Sequence, residues 1–240
     1  KGYDVTVFDN LSAGYKVNVD TRAKFIEGDI LNNKELQGIF NKFYDVVIHS
    51  AALKDAGESM LNPREYARVN IVGTINILNQ MVDHNIQNII FSSTASVYGI
   101  PEYFPVDEDH PLRPINFYGF TKLENEKLIK WYSNLNNIHY VAFRYFNAVG
   151  YNSEGRIREL EQNPTNLLPI IMETALGMRT SLKVFGDNYD TPDGTGIRDY
   201  IHVTDLANAH LHAIEYLLNG NYNTTLNLSS GLGYSVLEVI

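Results

Sequence analysis

Strand-like and helix-like runs alternate along most of this chain, and that alternation constrains the fold more than any single motif. Regular βα alternation predicts a doubly wound α/β parallel sheet, with right-handed crossovers between strands. The sharpest member of the pattern is Asp45-Val-Val-Ile-His49, a short, nearly continuous apolar run of the kind buried on both faces of a parallel sheet. Before it, Tyr3 to Phe8 and Lys24 to Glu27 read as strands, and Lys34 to Phe43 carries helical spacing. After it, Pro63 to Asp83 is a long helix with Val69, Val72, Ile75, Leu78 and Val82 along one side. A strand, Asn88 to Ser92, leads through a Pro-rich loop to a helix from Asn116 to Asn134, where Glu126 and Lys130 are placed to pair at i,i+4. His139 to Asn147 is a further strand.

Beyond Gly150 the pattern loosens. A polar loop, Tyr151 to Pro164, precedes a helix from Asn166 to Met178, a short strand from Leu182 to Phe185, and a turn-rich segment from Gly186 to Gly196. Arg198-Asp-Tyr-Ile-His-Val203 follows, with Thr204 as the expected N-cap of a helix running to Leu218. Thr224 to Leu228 reads as a strand, and Ser235 to Ile240 as the first turns of a helix. The chain starts in mid-pattern without Met, which reads as a piece of a longer protein, so the presence of a targeting peptide stays open.

Composition excludes some partners. A net charge of −9 argues against nucleic acid or an anionic membrane. The absence of cysteine excludes disulfides, thiolate nucleophiles and Cys-based metal sites, and fits a cytoplasmic protein. No apolar run approaches the ~20 residues that cross a bilayer. His210 and His212 lie two apart on a helix and face different ways, so no metal-ligand spacing is present. His49 and His202 read as satisfied strand histidines, and Asp107, Glu108 and Asp109 as a solvated loop cluster.

In a doubly wound sheet, ligands bind at the carboxyl ends of the strands. Those ends carry Asp9-Asn10, Asp29-Ile30, Ser50-Ala51-Ala52, Ser92-Ser93-Thr94 and Tyr145-Phe146-Asn147. A carboxylate such as Asp9 accepts both hydroxyls of an adenosine ribose and repels a 2′-phosphate, which favours NAD over NADP. An aspartate that merely ends a strand and starts a turn is the equal alternative. Small residues at Ser50 to Ala52 admit a flat ligand against the backbone.

Tyr118-Gly-Phe-Thr-Lys122 supplies the chemistry. On a helix the phenol and the ammonium share one face. About one such pair is expected by chance among 16 tyrosines, and Tyr118 is the one so placed. Thr94, on a strand end 24 residues earlier, completes a proton-handling set. The hydroxyl holds a substrate oxygen, the phenolate takes its proton, and the lysine keeps the phenolate ionised.

These residues resemble the extended short-chain dehydrogenase/reductase family, in its nucleotide-sugar 4-epimerase branch. The likeness runs over essentially the whole chain. It includes Asp9-Asn-Leu11, Glu27-Gly-Asp-Ile30, Gly57-Glu-Ser59, Asn70 with Gly73-Thr74, Phe91-Ser-Ser-Thr94, Val97-Tyr-Gly99, Arg144-Tyr-Phe-Asn147 and Asp193-Gly-Thr-Gly196 with Arg198 to Val203. The resemblance implies a Rossmann-type NAD-binding domain over 1–147, without its first βα unit and Gly-rich loop, and a partial substrate-binding region over 148–240. It implies NAD contacts from Asp9, Asn10, Leu11, Ser12, Ala13, Gly14, Asp29, Ile30, Ser50, Ala51, Ala52, Leu53, Lys54, Asn70, Thr94, Tyr118, Lys122, Tyr145 and Phe146. A UDP-sugar would meet Thr94, Tyr118, Asn147, Asn166, Leu167, Lys183, Val184, Phe185 and Arg198.

The implied reaction is C4 oxidation of a UDP-hexose to a 4-keto intermediate and re-reduction on the other face, interconverting UDP-galactose and UDP-glucose. Tyr118 would be the base, and a homodimer is implied. Lys54-Asp-Ala56 departs from the family's Lys-Ala-Val by an added charge. Ala95 and Ser96 follow Thr94, where a dehydratase or decarboxylase of this family would carry an acidic residue. Those rivals, a simple NAD-linked dehydrogenase and a non-catalytic dinucleotide-binding protein are the alternatives.

Overall fold

The computed structural model describes residues 2–152, 154–155 and 164–240; the loop from Tyr151 to Pro164 lies largely outside them. In chain order the elements are β1 Thr6–Asp9, β2 Lys24–Glu27, α1 Asn33–Phe40, β3 Val47–His49, α2 Ala56–Leu61, α3 Pro63–Tyr66, a π-helical turn Ala67–Val72, α4 Gly73–Asp83 and β4 Asn88–Thr94. They continue with α5 Phe117–Asn136, β5 His139–Tyr145, β6 Asn147–Val149, α6 Leu167–Ala175, β7 Ile197–His202, α7 Val203–Leu218, β8 Thr224–Leu228, β9 Gly233–Ser235 and α8 Val236–Val239.

The main sheet is parallel throughout, in the order β3-β4-β5-β8. Its register sets Thr94 opposite Tyr145 and His49 opposite Phe91. β1 and β2 form a separate parallel pair, while β6, β7 and β9 form a third, mixed sheet. One face of the main sheet packs Ile89, Phe91 and Ala142 against Leu36 and Phe40 of α1, Ile77, Leu78 and Met81 of α4, and Ile129 of α5. The other packs Ile90, Val141 and Phe143 against Ala213 and Leu217 of α7. Helices on both faces make the fold doubly wound, as the alternation predicts, and each of the larger apolar side chains contributes about 1.5–3 kcal/mol on burial.

Several expectations are corrected. The run at 45–49 is not buried on both faces: Ile48 is 46% exposed, because β3 is the edge of its sheet. The stripe predicted for 63–83 is rotated. Tyr66, Asn70, Thr74, Ile77, Leu78 and Met81 face inward and Val72 is exposed, because the π turn inserts extra arc into the helix. Leu182 to Phe185 forms no strand and stays largely exposed, with no paired edge beside it. His202, rather than Thr204, caps α7, its Nδ1 accepting the Thr204 N–H at 3.2 Å. The Glu108 carboxylate of the loop cluster is not merely solvated but accepts the Asn227 N–H at 2.7 Å.

Glu126 also escapes its predicted local partner. Its carboxylate instead takes a bidentate pair from Arg144 on β5, at 3.1 and 2.8 Å, with a further hydrogen bond from Ser93. Both ion-pair partners are nearly buried, and Arg144 also donates to the Tyr98 hydroxyl at 2.9 Å. Removing one partner leaves the other charge desolvated. Glu126→Gln is therefore expected to cost about 3–5 kcal/mol in urea-induced unfolding, and a loss under 1 kcal/mol would contradict this account.

Candidate active site

The carboxyl ends of β3, β4 and β5 and the first turn of α5 come together at one place. Asn116 starts α5 by accepting the Gly119 N–H at 2.7 Å. Gly119 is needed there: a Cβ would lie 2.6 Å from the Ser96 carbonyl, so only glycine lets the helix sit this close to the end of β4. The half-buried Tyr118 is thereby delivered to the end of β4, where the Thr94 hydroxyl acts on its phenol. Its backbone N–H is held by the Ser59 hydroxyl at 3.0 Å.

Lys122 lies one turn on and is almost fully buried. Its Nζ donates to the Ser92 carbonyl at 2.8 Å and sits 5.0 Å from the Phe91 ring centroid and 6.0 Å from that of Tyr118. Both rings offer it the weak attraction of an aromatic face. Burial pushes the ammonium down to about 7. Burial also pushes the Tyr118 phenol up, with the Thr94 hydroxyl acting in the opposite direction. Burial thus acts against the charged form of both groups, and an ammonium at about 7 still carries its proton in part near neutral pH.

Around this centre the buried polar side chains form a scaffold. Asn70, on the π turn, grips the backbone of Leu53 with both ends of its amide, accepting the N–H at 2.8 Å and donating to the carbonyl at 3.0 Å. It also donates to Thr121 at 3.0 Å. Asn70 thus fixes the backbone at Leu53, within the segment 50–54. His49 Nε2 lies 2.8 Å from the Thr74 hydroxyl, while Nδ1 is buried with no partner. Burial first, and the nearby Lys122 charge second, push this imidazole down to about 3, so it is neutral.

At the carboxyl end of the separate β1–β2 pair, Asp9 Oδ1 accepts the Leu11 N–H at 2.7 Å, and Asn10 Nδ2 reaches Asp29 Oδ2 at 3.2 Å. Asp9 therefore does perform the turn-forming role, while its carboxylate remains solvent-facing. Asn147 donates to the Asp199 carbonyl at 2.7 Å. Arg198 is exposed and donates to the Ile197 carbonyl at 2.7 Å. Asn166 stands at the N-terminus of α6, beside Leu167; Lys183, Val184 and Phe185 lie on exposed chain.

Two participants were not singled out from the sequence. Ser59 anchors the Tyr118 backbone, and its place in the Gly57-Glu-Ser59 motif was the available signal. His210 reaches the Tyr145 hydroxyl at 2.8 Å across 65 residues, which no local pattern announces. Among the described residues, no group of three or more His, Cys, Asp or Glu side chains is arranged to hold a metal, and no helix is long and apolar enough to cross a membrane.

The residues present suit a dinucleotide at both ends. Asp9 is an exposed strand-end carboxylate of the kind that suits a ribose diol, Ser50 and Ala51 are small and exposed, and Lys122 stands under the Tyr118 phenol. A parallel sheet carrying a strand-end threonine against a helical tyrosine and a buried lysine defines a dinucleotide-dependent protein of the short-chain dehydrogenase/reductase type. More particularly, this chain belongs to the NAD dependent epimerase/dehydratase family, whose model matches residues 1–229.

Individual proteins bear this out. The UDP-glucose 4-epimerase of Streptococcus mutans is 43% identical over 239 residues, covering 99% of this chain and 72% of that protein. The crystal structure of UDP-glucose 4-epimerase from Brucella ovis in complex with NAD superposes with a TM-score of 0.96 at 43% identity, covering 100% of this chain and 74% of that one. The enzyme from Bifidobacterium longum in complex with NAD+ and UDP gives a TM-score of 0.93 at 38% identity, again over all of this chain and 74% of that one.

Proposed function

We propose that this chain is an NAD-dependent isomerase that interconverts UDP-galactose and UDP-glucose at C4. The observation that carries the reading is the close set of Thr94, Tyr118 and Lys122 at the carboxyl edge of the sheet. Kinship with epimerases over the full chain narrows the substrate class.

In this reading Thr94 holds the sugar 4-hydroxyl and Tyr118 takes its proton, later returning it. Lys122 supplies positive charge beside the phenol. NAD, when bound, supplies the hydride acceptor and donor for C4 and carries positive charge in its oxidised form. Asp9 to Gly14, Asp29, Ile30, Ser50 to Lys54, Tyr145 and Phe146 would hold it, with Asn70 keeping residues 50–54 in place. Asn147, Asn166, Leu167, Lys183 to Phe185 and Arg198 would line the UDP-sugar site, the guanidinium suiting a diphosphate. On this division, 1–147 binds the dinucleotide and 148–240 contributes to the sugar nucleotide site.

The same reading includes a cytoplasmic location and a homodimer. The homodimer would form through the helices around residues 63–83 and 116–134, where Val72, Phe120 and Trp131 are exposed apolar side chains.

The test supplies UDP-galactose with NAD and follows UDP-glucose without added reductant. Conversion with no stoichiometric NADH release is expected. Absence of conversion, or one NADH released per sugar, would remove the epimerase reading.

A further inference from the structure

Four side chains form an uninterrupted hydrogen-bonded chain from the cleft into the packing beneath α7. Ser50 Oγ lies 3.0 Å from Ser92 Oγ, Ser92 Oγ lies 2.9 Å from the Tyr145 hydroxyl, and that hydroxyl lies 2.8 Å from His210 Nε2. The His210 ring closes the chain, with Nδ1 2.7 Å from the Leu206 carbonyl oxygen. Ser50 is the exposed end, following β3 directly. The other three are partly or fully buried.

The final link orients all the others. A carbonyl oxygen only accepts, so Nδ1 carries the proton and, in a neutral ring, Nε2 is left with a lone pair. Tyr145 must then donate to Nε2. Its proton being used, the Tyr145 oxygen accepts from Ser92. Ser92 has spent its only proton in turn, and therefore accepts from Ser50. Each hydroxyl has one proton to give, so no freedom remains along the chain. Ser50 is left facing the cleft with lone pairs alone.

We infer that His210 is a positioning residue: three hydrogen bonds away, it makes Ser50 an acceptor-only hydroxyl that takes an N–H or O–H donor of the bound dinucleotide, a ribose hydroxyl or a carboxamide nitrogen. The inference rests on the assignment of NAD to this cleft. The same polarity places the Tyr145 proton on a lone pair that would repel a phenolate. Tyr145 therefore stays protonated beside Tyr118, in keeping with the upward push that burial gives it, to about 12. Of the two neighbouring phenols, ionisation is reserved to Tyr118.

The two ends of the chain do not touch, so coupling between them distinguishes a polarised chain from local packing. NAD binding is measured by calorimetry on cofactor-stripped wild type, Ser50→Ala, His210→Phe and the double variant. Ser50→Ala should weaken binding about three- to tenfold in the wild-type background and leave it nearly unchanged in His210→Phe. Proton–nitrogen correlation spectra of the wild type should show the Nδ1–H tautomer for His210, a readout that packing alone does not move. An equal loss from Ser50→Ala in both backgrounds, or an Nε2–H tautomer, would overturn the inference. Failure of the wild type to bind NAD would instead sink the cofactor assignment and carry this inference with it.

Discussion

Tyr118→Phe is expected to lower the turnover of UDP-galactose by about 10²- to 10⁴-fold, the range ordinarily supplied by a positioned acid–base group, while folding and NAD binding persist. The hydroxyl can be removed without disturbing its surroundings. The backbone of Tyr118 is fixed by Ser59, the helix start by Asn116, and the close approach by Gly119. Thr94, the hydroxyl beside the phenol, is held independently by accepting the Ser96 N–H at 3.2 Å. The loss should fall on kcat with a smaller change in KM, because a proton transfer is made in the transition state rather than on binding. Wild-type turnover should rise along an acid limb as the phenol gives up its proton, and the variant should lack that limb. Near-normal turnover in Tyr118→Phe would remove this residue as the base.

Lys122→Met should do the opposite to two properties at once, stabilising the cofactor-free protein while abolishing most activity. An ammonium buried with one carbonyl oxygen as its hydrogen-bond acceptor carries a desolvation penalty that the two neighbouring rings only partly offset. Its folded value, about 7, lies below the unfolded value of 10.5. Between those two points the unfolded chain binds more protons than the folded one, so stability rises with pH through that window and is lowest below it. Methionine is similar in length and uncharged, so the variant should gain roughly 2–5 kcal/mol at pH 6 and lose this part of the pH slope. Urea unfolding of both proteins at pH 6 and pH 9 reads it directly. A variant less stable at pH 6 would mean the ammonium is better solvated than its burial indicates.

The sheet was legible where side chains state their own environment. Lys24 to Glu27 and Thr224 to Leu228 are strands at the residues expected, and the helix over 116–134 is found with Asn116 as its cap. Thr94, Tyr118 and Lys122 were legible because helical spacing and a strand end are local facts. What escaped depends on distant partners. Glu126 had a suitable lysine four residues away, yet Arg144 on β5 holds it, since a buried guanidinium needs a carboxylate more than a solvated ammonium does. Leu182 to Phe185 has strand composition but no edge to join. Val72 was assigned to the buried stripe on a regular helical period that the π turn breaks. His210 was dismissed by its spacing from His212, a test for metal ligands that says nothing about a hydroxyl across the sheet.

The π turn at 67–72 makes length, rather than composition, the sensitive property of this stretch of the gene. Its wide register leaves the Asn70 carbonyl open to side-chain donors, Thr74 at 2.6 Å and Asn125 at 2.9 Å. Loss of a single codon there would restore ordinary helical winding and improve the local ladder. It would also swing Asn70 by about 100° around the axis and release the backbone of Leu53 from its grip. A regular helix at this point would thus be sound as a helix and would leave the cleft wall at 50–54 unsupported.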